Sequence, residues 1–168
     1  QAYDNNFSRY IRTLILNALQ KLSLVGADKY FPVLPLDRHA SIEDFILRLL
    51  DLGASDINYV DLNLTECPLN EKVAIAVDLL KELATLKERV IVLDEGCLVT
   101  FERKLAPWFV DIVSNVDLSG KPLIFVASRW ALNPSSARHL SQAVFSCALG
   151  ELNPSERRRL FARLLEIE

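Results

Sequence analysis

The chain has 168 residues, of which 51% are apolar and 24% are charged, and this predicts one globular domain with a single core. Its 5 glycines and 7 prolines exclude collagen-like and low-complexity proteins. A net charge of -3 disfavours nucleic acid as a partner, because general binding to DNA or RNA needs a basic surface. No apolar run reaches the roughly 18 residues that span a bilayer, so we expect a cytoplasmic protein without membrane contact.

The cysteines predict neither a disulfide framework nor a metal site. Cys67, Cys97 and Cys147 lie far apart and form no C-x-x-C motif. We expect each of them to be a small buried apolar residue in a reducing compartment.

The first half of the chain alternates helical and strand patterns. Apolar residues three and four positions apart predict a helix over residues 9–22. Residues 30–36 predict a short buried strand. Ser41 and Asp44 match a capping box at the start of a helix that extends to about Leu52.

The same alternation continues in the second half with stronger signals. An apolar stripe predicts a helix over residues 70–88, and the β-branched run 89–94 predicts a strand buried on both faces of a parallel sheet. A helix over residues 102–115 and a second central strand over residues 123–127 are predicted next.

The last third is predicted to contain a capped helix start at Asn133 and Pro134, a short strand over residues 143–148 and a final helix capped by residues 153–156. Helices that alternate with apolar strands indicate an α/β fold, with a mostly parallel sheet covered on both sides. Right-handed crossovers place the carboxyl ends of all strands at one edge, where ligands bind in such folds.

Two predicted strands end in polar side chains. Asp94 and Glu95 follow the first central strand, and Ser128 and Arg129 follow the second. An acid here can hold Mg²⁺ directly or through water, a second acid can orient an attacking water, and a guanidinium can contact phosphate. Two plainer interpretations stay open: solvated acids that terminate a strand, and an arginine paired with those acids.

The combination resembles the nucleotide-binding core of the STAND class of signal-transduction NTPases, which includes the NACHT and NB-ARC families. Residues 90–95 (VIVLDE) resemble the Walker B strand, and residues 123–129 (LIFVASR) resemble the sensor-1 strand with its arginine. Residues 145–156 and the Leu-Phe pair at 160–161 are similar to a short strand, cap and helix of that class. The resemblance implies a P-loop NTPase-like three-layer sandwich that binds ATP or ADP with Mg²⁺.

The segment that should hold the phosphate-binding loop departs from the family pattern. Residues 2–13 contain no glycine and no preceding strand, whereas a P-loop needs glycines and a lysine. Under the resemblance, Ser8 and Arg9, or Arg12 and Thr13, replace the Gly-Lys-Thr motif. The alternative is an asparagine helix cap followed by solvated arginines. A first strand that is lacking or truncated is expected in a fragment of a larger multidomain protein.

The resemblance implies an oligomerising switch domain of a signalling or bacterial defence protein, with Asp94 as metal ligand, Glu95 as the catalytic acid that places water, and Ser128 and Arg129 at the phosphates. Such a domain is a slow Mg²⁺-dependent ATPase if active, and its partners are other domains of the same chain, for example a TIR-type effector, and further copies of itself. The alternative is a nucleotide-free scaffold that mediates self-assembly. A third reading is an α/β enzyme that uses Asp94 and Glu95 in unrelated chemistry.

Overall fold

A computed structural model describes nine segments of the chain. They are residues 32–52, 63–85, 90–116, 124–133, 135–136, 138–140, 143–144, 154–155 and 158. The predicted helix over residues 9–22 and the final segment similar to STAND proteins lie outside them, apart from helical backbone at Pro154, Ser155 and Arg158.

A parallel sheet of three strands forms the centre of the described residues. The strands are β1 (Val33–Leu36), β2 (Val90–Asp94) and β3 (Ile124–Ser128), in the spatial order β1-β2-β3. All pairings are parallel. The α/β class with a parallel sheet, predicted from the apolar strand runs, is therefore confirmed.

Three α-helices of the described residues cross between these strands. They are α1 (Ile42–Leu50) and α2 (Leu69–Thr85) between β1 and β2, and α3 (Pro107–Asn115) between β2 and β3. The predicted capping box is present, because Ser41 Oγ accepts a hydrogen bond from Asp44 N and Ser41 N donates to the Asp44 carboxylate at 2.8 Å.

The core lies between the helices and one face of the sheet. Alternate strand residues on that face, including Leu34, Val90 and Val92, join a single buried cluster with side chains from all three helices. Phe45 of α1 contacts the rings of Trp108 and Phe109 of α3 at centroid distances of 5.8 and 6.0 Å, which ties the first crossover to the second.

The opposite face of the sheet is also covered at its centre. Ile91 points there, because strand residues alternate between faces, and it is fully buried. The described helices all join the cluster on the first face, so the three-layer sandwich stays a prediction. Within the described residues β3 pairs with β2 alone and all five of its residues are half-buried, so this strand, predicted as central, occupies an edge of the described sheet.

The helix predicted over residues 102–115 begins five residues later than predicted, at Pro107. Residues before α3 form a hairpin instead, in which Val99 and Leu105 pair antiparallel. Ala106 has φ -58° and ψ 138°, the extended backbone that a following proline favours, so the helix begins at Pro107.

The first two residues of the strand predicted over residues 143–148 form a turn instead. The N–H groups of Ala143 and Val144 both donate to the carbonyl oxygen of Leu140 at 2.8 Å, which makes a turn after a short 3₁₀ helix (Arg138–Leu140). Residues 145–148 lie outside the described part of the chain. None of the helices that the structure describes has the length and apolar character of a membrane span.

Candidate functional site

The polar ends of β2 and β3 lie side by side at one edge of the sheet. Asp94 is in register with Ser128, and the ladder continues one residue further, since Arg129 N donates to the carbonyl oxygen of Asp94 at 3.2 Å. On the other side of β2, Glu95 N donates to Leu36 O at 3.1 Å. The predicted meeting of the acidic pair with Ser128 and Arg129 at one edge is therefore observed.

The Asp94 carboxylate is the centre of this edge. Its Oδ1 accepts hydrogen bonds from the backbone N–H groups of Gly96 at 3.0 Å, Cys97 at 2.8 Å and Leu98 at 2.9 Å. Its Oδ2 accepts from Val99 N at 2.9 Å. The chain after β2 thus curls around the carboxylate that ends the strand, with four successive N–H groups pointing inward.

Ser128 supplies the fifth hydrogen bond and joins β3 to this arrangement. Its hydroxyl donates to Asp94 Oδ2 at 2.7 Å and accepts from Trp130 N at 3.2 Å. A carboxylate offers about four lone-pair sites. Five donors therefore use the full accepting capacity of Asp94.

Electrostatics at Asp94 follow from burial and these donors together. Only 4% of the residue is exposed, and such burial by itself raises a carboxyl pKa. The hydrogen bonds from Leu98 N, the Ser128 hydroxyl and the neighbouring N–H groups outweigh it and hold the pKa of Asp94 below its ordinary value. The residue is thus a buried anion at neutral pH, stabilised by dipoles.

Cys97 lies beside this anion. Burial, together with the charge of Asp94, raises the pKa of the Cys97 thiol to about 12. The thiolate is the nucleophilic form of cysteine, so Cys97 is not an activated nucleophile at neutral pH. Cys97 is the small buried residue that we expected, whereas Cys67 is only half-buried.

Gly96 is needed for the tight curl after β2. Its φ of 122° lies in a region that residues with a side chain rarely adopt, and a Cβ there would lie 3.3 Å from Nε1 of Trp130. The indole therefore closes the loop from the β3 side.

Glu95 and Arg129 are exposed charged groups of the edge, as are Asp37 and Arg38 after β1. The Arg129 guanidinium lies over the Trp130 ring, 5.5 Å from its centroid, which is a cation–π contact. No ion pair joins Arg129 to Asp94 or Glu95 among the described residues, so the interpretation of Arg129 as the acids' counter-ion is not supported. Both side chains are available to solvent or to a ligand.

The backbone donors around Asp94 are the part of the site that the sequence analysis missed. The signal for them is Asp94 followed two residues later by Gly96, a pattern typical of an Asx turn in which the side chain accepts from the backbone. The predicted residues Ser8, Arg9, Arg12 and Thr13 lie outside the described residues, as does any loop that they form.

The donor set of the edge limits its metal chemistry. Within the segments that the structure describes, no group of three or more His, Cys, Asp or Glu side chains could hold a metal ion. Direct ligation by Asp94 requires the loss of one of its five hydrogen bonds. Ser128 is the only side chain among these donors, so rotation of its hydroxyl frees Oδ2 without moving the backbone.

Comparison with known proteins assigns no family to the chain, since no family model, curated protein or solved structure matches it significantly.

Proposed function

We propose that this chain is a nucleotide-binding oligomerisation switch domain of a STAND-type signalling or bacterial defence protein that acts in the cytoplasm. The observation that carries the proposal is the in-register end of β2 and β3, which brings Asp94, Glu95, Ser128 and Arg129 to one edge. Ligands of open α/β sheets bind beyond such carboxyl ends. A P-loop NTPase-like three-layer sandwich is the finer form of the α/β class that this proposal requires.

In this proposal the exposed side chains of Arg129 and Glu95 act directly on the nucleotide. Arg129 contacts phosphate, since its guanidinium offers several donors and its present partner is an aromatic ring rather than an acid. Glu95 orients a water molecule for slow hydrolysis. Ser8 with Arg9, or Arg12 with Thr13, completes the phosphate site in the part of the chain before β1.

In this proposal Asp94 holds the loop after β2 through the hydrogen bonds that it accepts from the backbone. The described donors leave no lone pair for Mg²⁺, so a bound metal requires the Ser128 hydroxyl to turn away from Oδ2. The metal supplies charge neutralisation at the phosphates when bound. The Ser128–Asp94 hydrogen bond would then differ between the empty and the loaded domain.

A second candidate function is a nucleotide-free scaffold with the same fold. The observation that favours it is the saturation of Asp94 by four backbone N–H groups and Ser128, because this holds the buried anion without a metal. In the scaffold, Glu95 and Arg129 are surface charges available to a protein partner.

Thermal unfolding with and without ATP and Mg²⁺ separates the two functions. Ligand at a hundred times its dissociation constant stabilises a protein by about 2.7 kcal/mol, which shifts the Tm of a domain of this size by roughly 5–10 °C. The nucleotide-binding switch predicts this shift and its loss in Arg129→Ala. Arg48→Ala, at an exposed position on α1, is the matched control that keeps the shift.

Hydrolysis is tested separately with Glu95→Gln. The switch predicts that this variant keeps the Tm shift and loses ATP turnover. A wild-type chain that shows no shift with ATP or ADP, with or without Mg²⁺, contradicts the switch and supports the scaffold.

A further inference from the structure

The hairpin between β2 and α3 carries an exposed aromatic residue at its tip. Thr100 N donates to Lys104 O at 2.9 Å and Arg103 N donates to Thr100 O at 2.8 Å, which closes the turn. Phe101 lies in this turn and is 72% exposed, the most exposed of the large apolar residues that the structure describes. We call residues 98–106 the finger.

The finger is held at both ends. Its base is the loop whose N–H groups bind Asp94, and Ala106 N donates to Leu98 O at 2.8 Å. From the side of β3, Asn133 N donates to Arg103 O at 2.9 Å. Arg103 has a φ of 61°, a left-handed conformation that residues with a side chain rarely adopt. The finger is therefore an anchored projection that presents Phe101 to solvent.

A groove between α2 and α3 has the complementary character. It has a volume of about 680 Å³, and its apolar lining comes from Leu69, Val73, Ala74 and Val77. Leu69 is 50% exposed at the lip of the groove. Val73 and Val77 are almost fully buried, so the accessible apolar surface of the groove comes mainly from Leu69 and Ala74.

Charges at the two places are of opposite sign. Arg103 and Lys104 follow Phe101 at the tip and outnumber the single acid there, Glu102. Asp111 on α3 lines the groove, and its carboxylate has no hydrogen bond or ion pair within the described residues. The other acid of the lining, Asp78, pairs at 3.9 Å with Lys81, which also lines the groove, so two acids and one cation leave the groove with a net charge of -1.

We propose that the finger of one copy docks in the α2–α3 groove of a second copy, with Phe101 against the apolar lining and the tip cations near Asp111 and Asp78. Because Phe101 is exposed, it does not occupy the groove of its own chain. Finger and groove are different surfaces, so the contact either repeats head-to-tail into a ring or a filament, or is made twice across a two-fold axis in a closed dimer. The inference rests on the oligomerising part of the proposed function and does not require nucleotide.

Sedimentation velocity of the full chain tests this contact, over about 1–200 µM and without nucleotide. Phe101→Ala removes the central aromatic anchor and is expected to weaken self-association about thirtyfold, the effect of a typical interface hot spot. Leu47→Ala is the matched control, because Leu47 is 51% exposed on α1 and lies in neither surface. A monomeric wild type, or equal weakening in both variants, overturns the proposal.

Ala74→Arg tests the groove independently. The exposed helical position tolerates arginine, while the new side chain fills the groove and repels the tip cations. Each variant alone should be monomeric at concentrations at which the wild type assembles. An equimolar mixture of Phe101→Ala and Ala74→Arg retains one intact finger and one intact groove, so it should form dimers that do not grow further.

Wild-type assemblies larger than a dimer indicate the head-to-tail arrangement, and a wild type that stops at a dimer indicates the two-fold one. No dimer in the mixture overturns the contact between finger and groove, provided that both variants unfold at the wild-type temperature. Since all of these measurements omit nucleotide, their failure is separate from a missing Tm shift with ATP.

Discussion

Two buried charges of this protein are compensated in different ways. Lys72 on α2 is 9% exposed and pairs with Glu43 on α1, a side chain from a different helix. Asp94 is 4% exposed and has no cation beside it within the described residues, because backbone N–H groups and one hydroxyl surround it. The first arrangement couples two helices, and the second shapes the loop at the candidate site.

The difference decides which of the two buried charges can be replaced by mutation with little loss of stability. An ion pair of two side chains can be removed as a unit, and such replacement is often neutral. Backbone donors cannot be removed, so any replacement of Asp94 leaves polar groups that have lost their acceptor. The largest and least recoverable loss of stability is therefore expected at Asp94.

Asp94→Ala should have the largest effect. It leaves the N–H groups of residues 96–99 without their acceptor, and we expect the free energy of unfolding to fall by about 3–5 kcal/mol. Urea unfolding measures this loss. Ser128→Ala removes only one of the five donors and should cost about 1.5–2 kcal/mol. Equal losses in the two variants contradict a carboxylate that is held mainly by backbone.

Lys72→Met should have an intermediate effect of about 1–2 kcal/mol, because the Glu43 side chain is 26% exposed and can turn toward water. The double variant Lys72→Met/Glu43→Gln should recover most of this loss in urea unfolding. No comparable recovery is expected when Ser128→Ala is added to Asp94→Ala. A double variant at the helix pair that is less stable than Lys72→Met contradicts the comparison.

The pH dependence of stability should show the smallest effect. Hydrogen bonding by Lys72 lowers the pKa of Glu43, and the pKa of Asp94 is also lowered, so for both groups the folded state binds fewer protons than the unfolded state. Their contributions are complete above the ordinary pKa values of 4.5 and 3.8 and are lost as pH falls through the lower folded values.

Urea midpoints from about pH 6 to about pH 3 measure this loss. Asp94→Asn and Glu43→Gln should each flatten the acid limb of the profile, because each removes a carboxyl whose pKa is lowered in the folded state. A profile of unchanged slope in Asp94→Asn contradicts the lowered pKa of Asp94. The two single variants can be compared directly, since each removes one titrating group.

Several elements could be predicted from local patterns alone. The β-branched run before Asp94 is observed as strand β2. Ser41 and Asp44 form the predicted capping box at the start of α1. The helix predicted over residues 70–88 is observed as α2 (Leu69–Thr85). These features depend on neighbours in sequence, whose periodicity and side-chain reach are readable from the chain itself.

The hairpin was not predictable in the same way. Residues 102–106 fit a helical pattern, but the N–H groups of Leu98 and Val99 are directed to Asp94 and the backbone of Arg103 is bound by Asn133. These hydrogen bonds hold the residues after β2 in the curl and the hairpin. The Asp94 carboxylate and the distant Asn133 thus override a local preference for helix.

For the described residues up to Ser128, the sequence by itself determined the order of strands and helices, the polar residues that end β2 and β3, and the parallel class of the sheet, because hydrophobic periodicity and turn residues act over a few positions. The tertiary structure alone decided that Asp94 is enclosed by donors while Glu95 and Arg129 face outward. That outcome depends on the path of the backbone after the strand, for which the Asp94–Gly96 spacing is the one local signal, and on the register of β2 with β3, which has no local signature.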